Sequence, residues 1–373
     1  MTNTVEPSIA VDHIGKIYYP TPGWMRALVA TQIREPVVAL DDIAFTVNPG
    51  EIVAIVGPNG AGKTTTFRIL VGLTTPTSGR ATVMGYDATR QSASVRSLVG
   101  WMPGDDRSLL MRLTCEENLR FHGRLQGLKP KAIERQVKRT LELVGLGHAA
   151  RKSIFALSAG MRARIQLARA LLHEPPVLIL DEPTGAVDPV AAHQLLNLIT
   201  DIVAERDIAA LLSSHRLEEI EALQTRMILL DRGSIRYDGD LQTMRNRLDR
   251  PCVELTFATA AAAATAAKML DSGIAAGSAV NVDGVTVRCI LPHGTTQGVV
   301  LAQLEPMLAD IVTVDEVKRP LRELLAEIYG ATAGPAPSTP EDEQRRQRRQ
   351  ERRREREGEG RNLQGAGRPR SRR

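Results

Sequence analysis

A glycine-rich segment at residues 57–64 is the first part of the chain whose residue types and spacing suggest a definite chemistry. It reads G-P-N-G-A-G-K-T and follows an apolar run at 51–56. Glycines allow successive backbone N–H groups to converge on phosphate oxygens, and a helix starting here adds the positive end of its dipole. Lys63 would reach the outer phosphates of a nucleotide, and Thr64 would hold Mg²⁺. The predicted nucleotide-binding residues of this segment are Gly57, Pro58, Asn59, Gly60, Ala61, Gly62, Lys63, Thr64 and Thr65.

Two carboxylates follow a second apolar run, at 177–180. The run reads V-L-I-L and is followed by Asp181 and Glu182. An apolar strand that ends in acids is common by itself, but a phosphate-binding loop upstream in the same sheet gives the acids a role. Asp181 would support the hydration shell of Mg²⁺, and Glu182 would polarise the water that attacks the outer phosphate. The two segments together predict hydrolysis of a nucleoside triphosphate.

The elements that must position these residues alternate between strand and helix. Apolar runs predict strands at 9–14, 43–47, 51–56, 177–180 and 208–213, and the patterns between and after them predict helices at 63–71, 162–172 and 189–206. Such alternation implies an α/β fold with a mainly parallel sheet covered on both faces. From 113 to 146, apolar residues such as Ile133, Val137 and Leu141 recur at helical spacing, which predicts an inserted helical subdomain.

The segment 157–161 separates this chain from general phosphate-loop enzymes. It reads L-S-A-G-M, about twenty residues before the acidic strand, and it resembles the LSGGQ signature of the ABC ATPase family. Ser158 can cap the following helix, whose start offers N–H groups and partial positive charge to a phosphate. In that family the signature faces the γ-phosphate bound by the other subunit. The resemblance therefore implies a homodimer, or a pair with a second ABC ATPase, in which Ser158 and Gly160 complete shared ATP sites.

Further segments resemble the family in the expected order. Residues 185–188 resemble the D-loop of the dimer interface, which assigns Asp188 to the site, and His215 resembles the switch histidine that contacts the γ-phosphate. Tyr18 resembles the aromatic residue that stacks on adenine, with Tyr19 as its rival. The fold implied is a P-loop NTPase core of ABC type, with an antiparallel β subdomain and the inserted helical subdomain.

The chain departs from the family at three positions. Gly104 stands where the family has a glutamine that senses Mg²⁺ and the membrane partner. Either Asp105 or Asp106 takes over near the metal, or the loop couples to the partner without touching the ion. In the signature, Ala159 and Met161 replace a glycine and a glutamine.

The predicted organisation is a nucleotide-binding domain at 1–249, with its helical subdomain at about 105–172, a small α+β accessory domain at 250–330 and a disordered tail at 331–373. Residues 100–128 resemble the ATPases of drug, polysaccharide and lipid exporters. The resemblance implies a subunit that hydrolyses ATP with Mg²⁺ and drives a separate membrane permease from the cytoplasmic face of the membrane.

Two other functions compete with this interpretation. From residue 341 onward the tail has thirteen arginines against seven acids, which permits nucleic-acid binding. The interspersed acids and the absence of aromatic residues there argue against nucleic acid as a partner and leave contact with anionic lipid open. A regulatory module that no longer hydrolyses ATP would fit Gly104 and Ala159, but Glu182 and His215 are retained.

Composition bounds these alternatives. Hydrophobic residues make up 43% and charged residues 24%, which is enough for a packed core. Apolar runs fall well short of the roughly 20 residues that a membrane-spanning helix needs, and residues 1–10 do not read as a secretory signal. These features predict a cytoplasmic protein. The three cysteines, Cys115, Cys252 and Cys289, lack metal-ligand spacing and are expected to be buried and reduced.

Overall fold

The structure is a computed structural model that describes residues 6–20, 35–105, 108–248, 250–273, 279–292 and 294–330. The predicted tail at 331–373 and Asp106 lie outside the described residues. The strands are, in chain order, β1 Ile9–Tyr18, β2 Val37–Val47, β3 Ile52–Val56, β4 Ser78–Val83, β5 Tyr86–Asp87, β6 Val99–Met102, β7 Val177–Leu180, β8 Ala209–Ser214, β9 Arg226–Asp231, β10 Ser234–Asp240, β11 Cys252–Phe257, β12 Ala279–Asp283, β13 Thr286–Ile290 and β14 Ile311–Glu316.

Helices alternate with many of these strands. They are α1 Lys63–Leu70, α2 Ser92–Leu98, α3 Cys115–Leu125, α4 Pro130–Leu143, α5 Ala159–Leu171, α6 Pro189–Arg206, α7 Leu217–Leu223, α8 Leu241–Leu248, α9 Ala260–Gly273, α10 Gln297–Gln303 and α11 Leu321–Gly330. No helix among the described residues has both the length and the apolar character needed to cross a bilayer.

The central sheet has the strand order β10-β9-β3-β8-β7-β6. All its neighbouring strands are parallel except β9 and β10, which form a hairpin. Strands β7 and β8 are buried along their whole length, as expected for strands covered on both faces. The predicted α/β fold with a mainly parallel sheet is therefore confirmed.

A second, antiparallel sheet has the order β2-β1-β4-β5. Strands β1 and β2 are longer than the apolar runs predicted, because they pair with each other from Ile9 with Val47 out to Tyr18 with Val37. Their inward side chains share one hydrophobic core with β3, α1 and the central sheet. This core fixes the start of α1 against both sheets.

The predicted inserted helices are α3 and α4, with α5 packed against them. Thr114 and Glu117 form a reciprocal capping box at the start of α3, and Pro130 opens α4. The predicted inward residues Ile133, Val137 and Leu141 are all buried. The helical insertion, which lies between β6 and β7 in the sequence, therefore has apolar contacts of its own.

The C-terminal sheet is antiparallel, with the order β12-β13-β11-β14, and has its own core with α9 and α10. Cys252 and Cys289 lie in this part of the chain and Cys115 in α3, and all three are buried free thiols, as predicted. Burial raises the pKa of the Cys289 thiol to about 12. Arg245 of α8 donates to the Arg319 carbonyl at 3.1 Å, which joins α8 to the segment after β14.

Candidate functional site

The glycine-rich segment forms the turn between β3 and α1. Gly60 and Gly62 have φ of +85° and +111°, a backbone region that side chains disfavour. A Cβ on Gly57 would lie 2.2 Å from the Leu230 carbonyl oxygen, so this position has no room for a side chain. Glycine is therefore required for two different reasons. Gly60 and Gly62 have left-handed backbone, and Gly57 lies too close to β9 for a side chain.

Lys63 is the buried cation of this loop. Its side chain is 5% exposed, and Nζ donates to the carbonyl oxygens of Gly57 at 2.6 Å and Pro58 at 3.2 Å. Burial lowers the Lys63 pKa, while the negative charges of Glu182 and Asp181 act against that shift. The loop therefore holds an ammonium group whose desolvation is partly offset by two carboxylates.

Asp181 is held by hydroxyl donors on both sides. Thr64 Oγ1 donates to Asp181 Oδ2 at 2.9 Å, and Ser213 Oγ donates to Asp181 Oδ1 at 2.7 Å. These contacts bring together the two residues predicted to serve Mg²⁺. A hydroxyl and a carboxylate are hard oxygen donors, and Mg²⁺ accepts one or two protein ligands while it keeps several waters, so the donor set fits that ion.

Glu182 lies between two basic side chains. Its Oε2 is 3.2 Å from His215 Nδ1, and its Oε1 is 3.8 Å from Lys63 Nζ. The residue has φ of +47°, which is uncommon outside glycine, and its backbone N–H donates to Ser213 Oγ at 2.8 Å. The parallel register of β3, β7 and β8 brings their carboxyl ends to one edge, where these groups meet.

The signature residues form a second group. Ser158 is the N-cap of α5, and its Oγ accepts from the Met161 N–H at 3.3 Å. A Cβ on Gly160 would lie 3.1 Å from Ala191 Cβ. Asp188 caps α6 by accepting from the Ala191 N–H at 3.0 Å. The structure thus places Ser158, Gly160 and Asp188 around the starts of α5 and α6, whereas Lys63 lies at the start of α1.

The two candidate tyrosines lie at the end of β1. Lys16 Nζ is 5.1 Å from the Tyr18 ring centre, and Tyr19 is 64% exposed. The segment that follows, 21–34, lies outside the described residues. Stacking of Tyr18 on adenine stays a prediction.

The segment after β6 passes close to Asp181. A Cβ on Gly104 would lie 3.2 Å from the Asp181 carbonyl oxygen, and the Asp181 N–H donates to the Met102 carbonyl at 2.8 Å. Gln166 of α5 donates to the Asp105 carbonyl at 3.0 Å. The backbone around Gly104 is therefore connected to both the acidic strand and the signature helix.

Sequence reasoning missed two residues that hold the site together, Ser213 and Glu219. Ser213 is fully buried and binds both Asp181 and Glu182, while Glu219 of α7 is 8% exposed and accepts three hydrogen bonds from neighbouring segments. The available signal was a pair of serines ending an otherwise apolar strand, and a glutamate in the short helix after His215.

Comparison with known proteins shows which sequences and structures this chain resembles. The family model described as ABC transporter matches residues 40–185. The uncharacterized ABC transporter ATP-binding protein YxlF of Bacillus subtilis (strain 168) is 38% identical over 209 residues, which cover 56% of this chain and 68% of that protein. The doxorubicin resistance ATP-binding protein DrrA of Mycobacterium tuberculosis is 39% identical over 211 residues, which cover 57% of this chain and 63% of that protein.

The chain thus spans slightly less than two thirds of the DrrA relative. Among solved structures, an ATP-binding cassette determined as a dimer in a post-hydrolysis state with ADP and phosphate has the same fold. Its TM-score is 0.54 at 22% identity, and the match covers 62% of this chain and 98% of that chain.

Proposed function

The chain belongs to the family of ABC transporter ATP-binding proteins, which are ATPases, and on that basis we propose that it hydrolyses Mg·ATP to drive export through a separate membrane permease. The transported compound would be a drug, a lipid or a polysaccharide. The similarity to a doxorubicin resistance ATP-binding protein supports the first of these classes.

The observation that carries the proposal is the chain of contacts from Lys63 through Glu182 to His215, beside Asp181 and Thr64. Lys63 and the loop amides would bind the phosphates, and Thr64 and Asp181 would hold Mg²⁺, which neutralises phosphate charge when bound. Glu182 would accept a proton from the attacking water, since its carboxylate is 29% exposed and oriented by His215.

The second group of residues supports a dimeric site. The N-terminus of α5 offers backbone N–H groups and partial positive charge, which suit the outer phosphates of a nucleotide. Because residues 157–161 resemble the family signature, which faces the γ-phosphate bound by the other subunit, we assign Ser158 and Gly160 to the nucleotide of a second copy or of a second ABC ATPase. Asp188, at the start of α6, would lie at the same subunit boundary.

A groove beside the helical insertion supports docking of the permease. It has a volume of 570 Å³ and is lined by residues of α2, β6, α3 and α5 and of the segment that follows α1, among them Trp101 and Arg169. Leu73 and Leu125 at this groove are 58% and 68% exposed, so both offer apolar surface to a docked protein. Such docking would hold the chain at the cytoplasmic face of the membrane.

Residues 250–330 would serve as an accessory domain, and the basic tail would contact anionic lipid.

Phosphate release by the Glu182→Gln variant tests the proposed function. Loss of the general base should lower kcat at least 100-fold while ATP-dependent dimers persist in size-exclusion chromatography. Glu205→Gln is the matched control, because Glu205 is an exposed carboxylate near the end of α6. Unchanged turnover in Glu182→Gln would overturn the assignment, and dimers absent with Mg·ATP would overturn the shared site.

A further inference from the structure

Glu219 is a buried carboxylate that joins three segments of the chain. It is 8% exposed and lies in α7, four residues after His215. Its Oε2 accepts from Thr184 Oγ1 at 2.8 Å and from Ser214 Oγ at 2.6 Å, and its Oε1 accepts from Arg216 Nη1 at 3.4 Å. Burying a carboxylate is costly unless it is hydrogen-bonded and paired, and here both oxygens have donors.

Each of the three donors lies within two residues, along the chain, of a residue of the proposed site. Thr184 follows Glu182 by two residues, and Ser214 and Arg216 are the immediate neighbours of His215 on either side. Glu219 itself touches neither Glu182 nor His215 in the contacts of the described residues. Any influence of Glu219 on these two side chains is therefore indirect, through the segments that carry them.

The two serines that end β8 lie on opposite faces of the sheet and bind different groups. Adjacent residues of a strand point to opposite faces. Ser213 binds Asp181 and the Glu182 N–H, whereas Ser214 binds Glu219 and accepts from the Arg216 N–H at 3.0 Å. The end of β8 is thus attached to the acidic segment on one face and to α7 on the other.

Arg216 extends the same network to the turn before α6. Its Nη1 donates to the Val187 carbonyl at 3.1 Å as well as to Glu219. Val187 precedes Asp188, the residue predicted for the dimer interface. The carboxylate of Glu219 consequently lies at the point where the segments carrying Glu182, His215 and Asp188 converge.

We propose that Glu219 is a positioning residue for hydrolysis, which fixes His215 against Glu182 through Thr184 and Ser214. The proposal rests on the proposed ATPase function. Misplacement of a reacting group by about 1 Å can cost on the order of 100-fold in rate. Loss of the carboxylate should therefore lower kcat, whereas the loop around Lys63 and the KM for ATP should change little.

The test is steady-state ATPase kinetics of the full chain with Glu219→Gln, alone and combined with His215→Ala. We expect Glu219→Gln to lower kcat at least tenfold with the KM for ATP within twofold of the parent. If Glu219 acts through His215, the same substitution should change kcat less than twofold in the His215→Ala background. Glu218→Gln is the matched control, because Glu218 is the exposed neighbour on the same helix.

A second pair of variants keeps the proposal testable if Glu219→Gln does not fold. Thr184→Val removes the hydroxyl donor at nearly constant shape and should lower kcat at least threefold, whereas Thr184→Ser keeps the donor and should retain at least half of kcat. Equal kcat in these two variants, or equal loss from Glu219→Gln with and without His215, would overturn the proposal. Full turnover in Glu182→Gln and His215→Ala would instead overturn the proposed function itself.

Discussion

Replacing Ser213 with alanine should separate the contribution of hydrogen bonding at the acidic strand from that of packing. The Ser213 hydroxyl donates to Asp181 Oδ1 at 2.7 Å and accepts from the Glu182 N–H at 2.8 Å. The residue is 0% exposed, so water cannot readily replace the hydroxyl. The substitution removes a single oxygen atom and leaves one carboxylate oxygen and one N–H short of a partner.

The magnitude follows from these two groups. A hydrogen bond to a charged group contributes about 1.5–3 kcal/mol, and a buried N–H left unsatisfied costs about 1–3 kcal/mol. We therefore expect Ser213→Ala to lower the free energy of unfolding by about 3 kcal/mol. The left-handed backbone of Glu182 persists only where its surroundings over-determine it, so kcat should also fall about tenfold.

Urea denaturation followed by tryptophan fluorescence is a suitable assay, since Trp101 packs edge-on against buried Phe67 with ring centres 6.2 Å apart. Ser97→Ala serves as the control, because Ser97 is exposed and its hydroxyl donates to the Ser94 carbonyl of its own helix. The control should stay within about 0.5 kcal/mol of the parent. A loss in Ser213→Ala no larger than in Ser97→Ala would refute the reasoning.

Two further outcomes are expected from urea denaturation. Gly100→Ala should lower the free energy of unfolding by about 2–3 kcal/mol, because the new Cβ would lie 2.5 Å from the Ala170 carbonyl; a loss below about 0.5 kcal/mol would contradict this close contact. Burial lowers the pKa of His122 and His173, so below about pH 6.5 the unfolded chain binds more protons at these two residues, and their contribution to stability should fall from pH 7 to 5.5, by at most about 1.4 kcal/mol per pH unit for each histidine. His173→Gln should reduce that loss, whereas exposed His148→Gln should leave it unchanged.

The parts of the fold that the sequence predicted are those with local patterns. The turn at 57–64 was predictable because glycine and lysine are demanded at fixed spacing, and β7 was predictable because a strand buried on both faces must be apolar throughout. Strands β12 and β14 gave no such signal. Most of their side chains are exposed, so neither strand is apolar throughout as β7 is.

The candidate site was predictable residue by residue but not as a set of contacts. Asp181 and Glu182 follow an apolar strand, and that position alone suggested chemistry. Their attachment to Ser213 depends on the register of β7 against β8, which local sequence does not determine. Glu219 could not be found from spacing alone, because Thr184 is distant in sequence and Ser214 is reached only when α7 packs against β8.

The hydrogen bond between the Asp181 N–H and the Met102 carbonyl has an evolutionary consequence. Residues 103–176 leave the sheet at the end of β6 and return in β7, and these two strands pair in register as neighbours. The excursion begins at the carboxyl end of β6, where this hydrogen bond lies, and it returns at the amino end of β7. Under the proposed function, surfaces on that excursion can therefore change to suit a permease, while Asp181 stays attached to β6 by this hydrogen bond.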